Sequence, residues 1–133
     1  MDDREFLDAL EGCTLPGAAF DHRAHVRAAY LYSLDADFVT SLGRIERAIR
    51  AFAASLGAAD KYHETITIAF LSLVRRRMFE SGPEESWEAF ADAHPDLLDP
   101  QAVARYYPAG ELKTRVARHT FVLPELSLPA RDD

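Results

Sequence analysis

A single cysteine, Cys13, stands in the 133 residues, so no disulfide can form within the chain and stability has to come from packing. That suits a reducing compartment, and a cytoplasmic location is the expectation. No apolar run approaches the roughly 20 residues that span a bilayer. Met1-Asp2-Asp3-Arg4-Glu5 is acidic and lacks the basic-then-apolar order of a signal peptide. Basic excess is missing as well. With 15 Lys and Arg against 22 Asp and Glu the formal charge is -7, which argues against a general nucleic-acid binder. Arg75-Arg76-Arg77 is a local exception, read as offsetting the negative end of a helix dipole rather than gripping phosphate. Sustained period-two alternation, Asn-Gly or Asp-Gly hairpin signals, repeats and low-complexity segments are absent too. Little is left from which to build a sheet.

What is present is helical. Hydrophobic residues at 48% and charged residues at 28% are an ordinary balance for one folded domain of this length. Phe6, Leu7 and Leu10 mark a short first helix that Gly12 can end. Pro16-Gly17 reads as a turn. Asp21 is a credible N-cap for a helix running to about Leu34. From Phe38 to Leu56 the apolar positions Leu42, Ile45, Ile49, Phe52 and Leu56 recur at steps of three and four, and Gly57 supplies a stop. A fourth helix is expected from Lys61, capped by Asp60, to about Phe79. Pro83 suits the first turn of a helix carrying Trp87 and Phe90, with Trp87 in the core. A short helix is expected from Asp99-Pro100 to Tyr106. A last one passes through Leu112, Val116 and His119, followed by an extended C-terminal strap from Phe121 past Pro124 and Pro129. The expected fold is all-α: a single-domain bundle of about five to seven helices over residues 1–133, with short connections.

The polar run Lys61-Tyr62-His63-Glu64-Thr65-Ile66-Thr67 interrupts an otherwise apolar helix. At about 100° per residue, His63 shares a face with Ile66, Thr67, Phe70 and Val74, the buried side. On the earlier helix His22 and His25 lie one turn apart, beside Val26, Ala29 and Ser33. Imidazoles at this spacing can reach a single ion. His22, His25 and His63 together form a candidate three-histidine metal site with an open position, suited to zinc, iron, nickel or copper. Glu64 and Tyr62 are then candidate proton-transfer groups, as is Tyr107, and Thr67 and Tyr106 could contact substrate. The competing reading makes the histidines hydrogen-bonded core residues, Glu64 a surface carboxylate, Tyr62 a packing residue and Thr65 a helix-surface one. Toward the C-terminus, Lys113, Arg115 and Arg118 can present a clamp for a carboxylate or phosphate; the competing reading is a solvated basic face. His94 and His119 read as peripheral.

The blocks Phe-x-His-x-x-His-Val (Phe20 to Val26), Tyr-His-Glu-Thr-Ile-Thr (Tyr62 to Thr67), Tyr106-Tyr107 and Ala-Arg-x-x-Phe-Val-x-Pro (Ala117 to Pro124) come in that order. In them the chain resembles an uncharacterised family of small bacterial all-helical proteins. That family commonly carries a polar Leu-x-Ser segment where this chain has Leu112-Lys113-Thr114. The resemblance implies that the blocks belong together and brings no reaction with it. Two functions are expected from different classes. One is a small metal-dependent enzyme acting on a small anionic metabolite by hydrolysis, elimination or isomerisation. The other is a non-catalytic helical binding or accessory module. Either would take a small-molecule ligand or an acidic partner, without nucleic acid or membrane, and could form homo-oligomers.

Overall fold

The computed structural model describes residues 1–124, and those residues are all-helical. Six α-helices occur among them: α1 (Asp3–Glu11), α2 (His22–Ser33), α3 (Phe38–Ser55), α4 (Glu64–Ser81), α5 (Trp87–Ala93) and α6 (Arg115–His119). Between α5 and α6 the chain advances through three 3-10 turns, Pro95–Leu98, Ala104–Tyr106 and Glu111–Lys113. The α-helix expected from Asp99 to Tyr106 is therefore replaced by turns. The last helix is cut to five residues, with Leu112 left outside it. None of the helices is long and apolar enough to cross a membrane. The strap has no regular secondary structure from Phe121 to Pro124; Pro129 lies outside the described residues.

Capping explains most of the boundaries. Asp2, Asp21, Asp37, Ser86 and Thr114 each accept a hydrogen bond from the backbone amide three residues on, so five helices start on residue types that favour this role. The sixth does not. α4 begins at Glu64, and its N-cap is the imidazole of His63, whose Nδ1 accepts from Ile66 N at 3.1 Å. Asp60 sits instead in a 3-10 turn, Ala59–Lys61. Pro83 likewise precedes its helix, which waits for Ser86. Gly57 ends α3 as expected, with φ at +70°, a left-handed conformation that glycine adopts without strain.

α2 lies at the centre, packing on α4 and α3, while α6 closes against α4. The core joins Phe6 and Leu10 of α1, Val26 and Tyr30 of α2, Ile45 and Phe52 of α3, and Phe70 and Val74 of α4 to Trp87, Phe90, Leu97 and Val103. Leu56, read as the end of the apolar stripe of α3, is its C-cap and is exposed. The triple arginine is not at a helix end. Arg75 donates to Ala36 O and Ser41 Oγ, Arg76 pairs with Glu80, and Arg77 forks onto both oxygens of Asp96. His94 is buried rather than peripheral, packed on Phe90 and within hydrogen-bond reach of Arg77 and Ser81.

Candidate functional site: a basic cleft beside the His63 cap

His63 does two jobs because an imidazole has two nitrogens. With Nδ1 accepting the Ile66 amide, Nε2 carries the hydrogen and donates to Leu112 O at 2.6 Å. An Asp or Ser cap has no such second arm. This bond ties the start of α4 to the 3-10 turn Glu111–Lys113, and so fixes where Lys113 stands. Gly110, with φ at +84°, makes the turn leading into that segment. Thr114 then caps α6, setting Arg118 one turn further on, where it donates to Asp60 O at 3.0 Å.

Around these residues lies a cleft of about 510 Å³. Its wall includes His63, Gln101, Tyr107, Gly110, Lys113 and Arg118, with Ile66, Val103 and Leu112 as apolar surface. Among the described residues no Asp or Glu lines it, in a chain that is rich in acids. Lys113 and Arg118 have no carboxylate partner among the described residues. Burial first, and then the charge of Glu111, raise the Tyr107 pKa. The Tyr107 hydroxyl donates to Val122 O at 2.9 Å.

Four of the residues singled out in the sequence thus meet at one place, His63, Tyr107, Lys113 and Arg118. The others do not line it. Tyr62 and Glu64 turn toward α3, where the Tyr62 hydroxyl donates to Glu64 Oε1 at 2.8 Å. Arg50 stacks over the Tyr62 ring at 4.1 Å and reaches Glu64 Oε2 at 3.3 Å. Burial and the bond to Glu64 hold the Tyr62 hydroxyl well above the usual phenol range, so this group keeps its proton. Thr67 is buried and donates to His63 O, a bond within its own helix. Tyr106 is half exposed and faces the strap side with Phe121 and Pro124. Thr65, read as a candidate surface residue, is fully buried. Its hydroxyl donates to Thr120 O and accepts from Val122 N, fastening the strap to α4.

The three histidines do not present a common set of lone pairs. Both nitrogens of His63 are engaged, and His22 Nε2 donates to Leu97 O at 3.0 Å. His25 is stacked on Phe20, and its Nε2 is sealed without a partner among the described residues. Burial, then the neighbouring His22, lower its pKa to about 4. Among the described residues no group of three or more His, Cys, Asp or Glu side chains is arranged to hold a metal ion. A three-histidine site would require His63 to give up its cap and its tie to Leu112, so the donor set does not fit an ion in this arrangement. Gln101 and Gly110 are cleft residues that sequence reading passed over. Pro108 and Gly110 mark a turn in the sequence, but no pattern there says which side of it faces a cavity.

Searches of protein-family models, of curated proteins and of solved structures find no match for this chain.

Proposed function

We propose that the protein is a helical binding module for a small anionic metabolite, held in the cleft between the start of α4 and the segment 100–118. The observation that carries this reading is the lining: among the described residues, two cations without carboxylate partners and no acid, in a chain of net charge -7. Lys113 supplies a mobile point charge and Arg118 a planar fork, a combination suited to carboxylate or phosphate oxygens. His63 acts as the strut that sets the wall, and the Gln101 amide is the neutral polar group positioned to orient a ligand. The carbonyl bonds of His22 and His63 support a binding module with hydrogen-bonded histidines over one in which they are ligands. A reducing cytoplasm suits a chain with one cysteine.

The test is a calorimetric titration with inorganic phosphate and with succinate, at low salt, of wild type and Arg118→Gln. The reading expects saturable binding of at least one anion and a loss of about tenfold in the variant, or about 1.4 kcal/mol. Equal affinities in the two proteins, or no saturable heat with either anion, would defeat it.

A second reading, a metal-dependent enzyme, is favoured by one observation: the enclosed, unpartnered Nε2 of His25 beside His22. It is checked by equilibrium dialysis of untagged protein against zinc, iron, nickel or copper. Retention near one equivalent that disappears in His25→Leu supports it, and retention that is the same in both proteins removes it.

A further inference from the structure

A second cavity, of about 350 Å³, opens on the other side of α2, between that helix, α1 and α5. Phe6, Leu15, Pro16, Ala19, Ala24 and Trp87 give it a largely apolar wall. Into that wall are set two guanidinium groups, from Arg23 and Arg27, one turn apart on α2. Arg23 lies over the Trp87 ring, 5.4 Å from its centroid, and Arg27 over Phe6 at 4.6 Å. Stacking on an aromatic face leaves the edge of a guanidinium, where its N–H donors are, directed sideways.

The donors are under-used. Arg23 makes no ion pair among the described residues, and none of their hydrogen bonds comes from its side chain. Arg27 directs Nη2 to Asp3 Oδ1 at 2.8 Å and to Met1 O at 3.2 Å, but its enclosed Nε has no acceptor among the described residues. Buried donors without acceptors are rare in folded proteins. One carboxylate, Asp21, also lines the cavity; its Oδ1 accepts the Ala24 amide as the cap of α2. Arg27 thus keeps a free Nε beside its bond to Asp3, and Arg23 has no carboxylate partner among the described residues, both above apolar and aromatic surface. A volume of this size is at the low end for small-molecule sites.

We infer that this cavity is a second ligand site, taking a small organic carboxylate whose apolar or aromatic body lies against Phe6, Leu15 and Trp87 while Arg23 and Arg27 hold its oxygens. The aromatic surface of Phe6 and Trp87 distinguishes it from the cleft at His63, whose lining has a larger polar share and where an inorganic anion suffices. The two sites share no residue, and neither inference needs the other.

Trp87 is the only tryptophan in the chain and stands in the wall, so its emission reports occupancy directly. Wild-type protein is titrated at neutral pH with benzoate and, separately, with benzyl alcohol, which keeps the ring and removes the charge. The expected result is a saturable change with benzoate and affinity for benzyl alcohol weaker by about tenfold or more. Arg23→Gln, an exposed substitution, should weaken benzoate by a similar factor and leave benzyl alcohol unchanged. Ala19→Leu, which narrows the cavity from an exposed position, should weaken both, while Arg118→Gln should weaken neither. Equal affinity for the two probes, an Arg23→Gln protein that binds benzoate as wild type does, or the absence of any saturable response overturns the inference.

Discussion

His63 and His25 both turn inward from the beginnings of neighbouring helices, and the fold treats them in opposite ways. His63 has every polar atom of its ring in use, one nitrogen on the Ile66 amide and the other on the Leu112 carbonyl. His25 is enclosed between Phe20 and Phe70, and its Nε2 has no partner among the described residues. A satisfied imidazole is an architectural part that holds two segments in register. An unsatisfied one is a cost to the folded state whenever it must carry charge. The same residue type on the same kind of face therefore builds a site in one case and a pH liability in the other.

The largest expected effect lies in that liability. His25 titrates at about 4 in the folded protein, against an ordinary value of 6.5. Because the folded pKa is depressed, the unfolded chain takes up the proton first. Stability fully present above pH 6.5 is lost as pH falls toward 4, by on the order of 3 kcal/mol from this group. Urea unfolding of wild type and His25→Leu at both ends of that window measures it. The variant should lose less stability on acidification than wild type by that margin, and equal losses would refute the assignment.

Next in size is the strut. His63→Ala removes the cap and leaves the Leu112 carbonyl without its donor, a loss of about 1–3 kcal/mol. His63→Asn keeps a capping oxygen and should recover about 1 kcal/mol of it. Anion binding in the cleft should still suffer, because the tie to Leu112 is gone. If Asn restored binding as well as stability, the strut role would be wrong. Tyr62→Phe should cost less, about 0.5–1.5 kcal/mol, since it deletes one bond to Glu64 and leaves the ring under Arg50. Cleft affinity should not move, which a titration of the variant would check. The smallest stability change is expected for Arg118→Gln, within about 0.5 kcal/mol, because a partly exposed side chain loses one bond to a carbonyl. Its effect should appear in ligand affinity alone.

Much of this fold is legible along the chain because its signals are local. Asp21 before His22 and Gly57 after Leu56 each act within one turn, and they mark boundaries that the structure has. The start of α4 is displaced from Lys61 to Glu64 because histidine is an unusual cap and Asp60, a favoured type, stands nearby as a decoy. Thr65 looks like a surface residue until its partners are known, and they lie at Thr120 and Val122, across the bundle. The region from Pro95 to Lys113 forms short 3-10 turns, whose hydrogen bonds depend on tertiary support and leave no periodicity to read. The candidate site divides along the same line. His63, Tyr107, Lys113 and Arg118 meet around one cleft. Tyr62 and Glu64 flank His63 in sequence but are captured by Arg50 from α3, a partner that helical phase cannot reveal.

The central claim is that the cleft beside His63, lined by no acid among the described residues, receives an anion. Its most direct test is backbone amide shift mapping of isotope-labelled wild-type protein titrated with inorganic phosphate. The account predicts saturable shifts concentrated at Gln101, Gly110, Leu112, Lys113 and Arg118, and their loss in the Arg118→Gln protein. Shifts spread evenly over the surface, or centred away from residues 100–118, would contradict it.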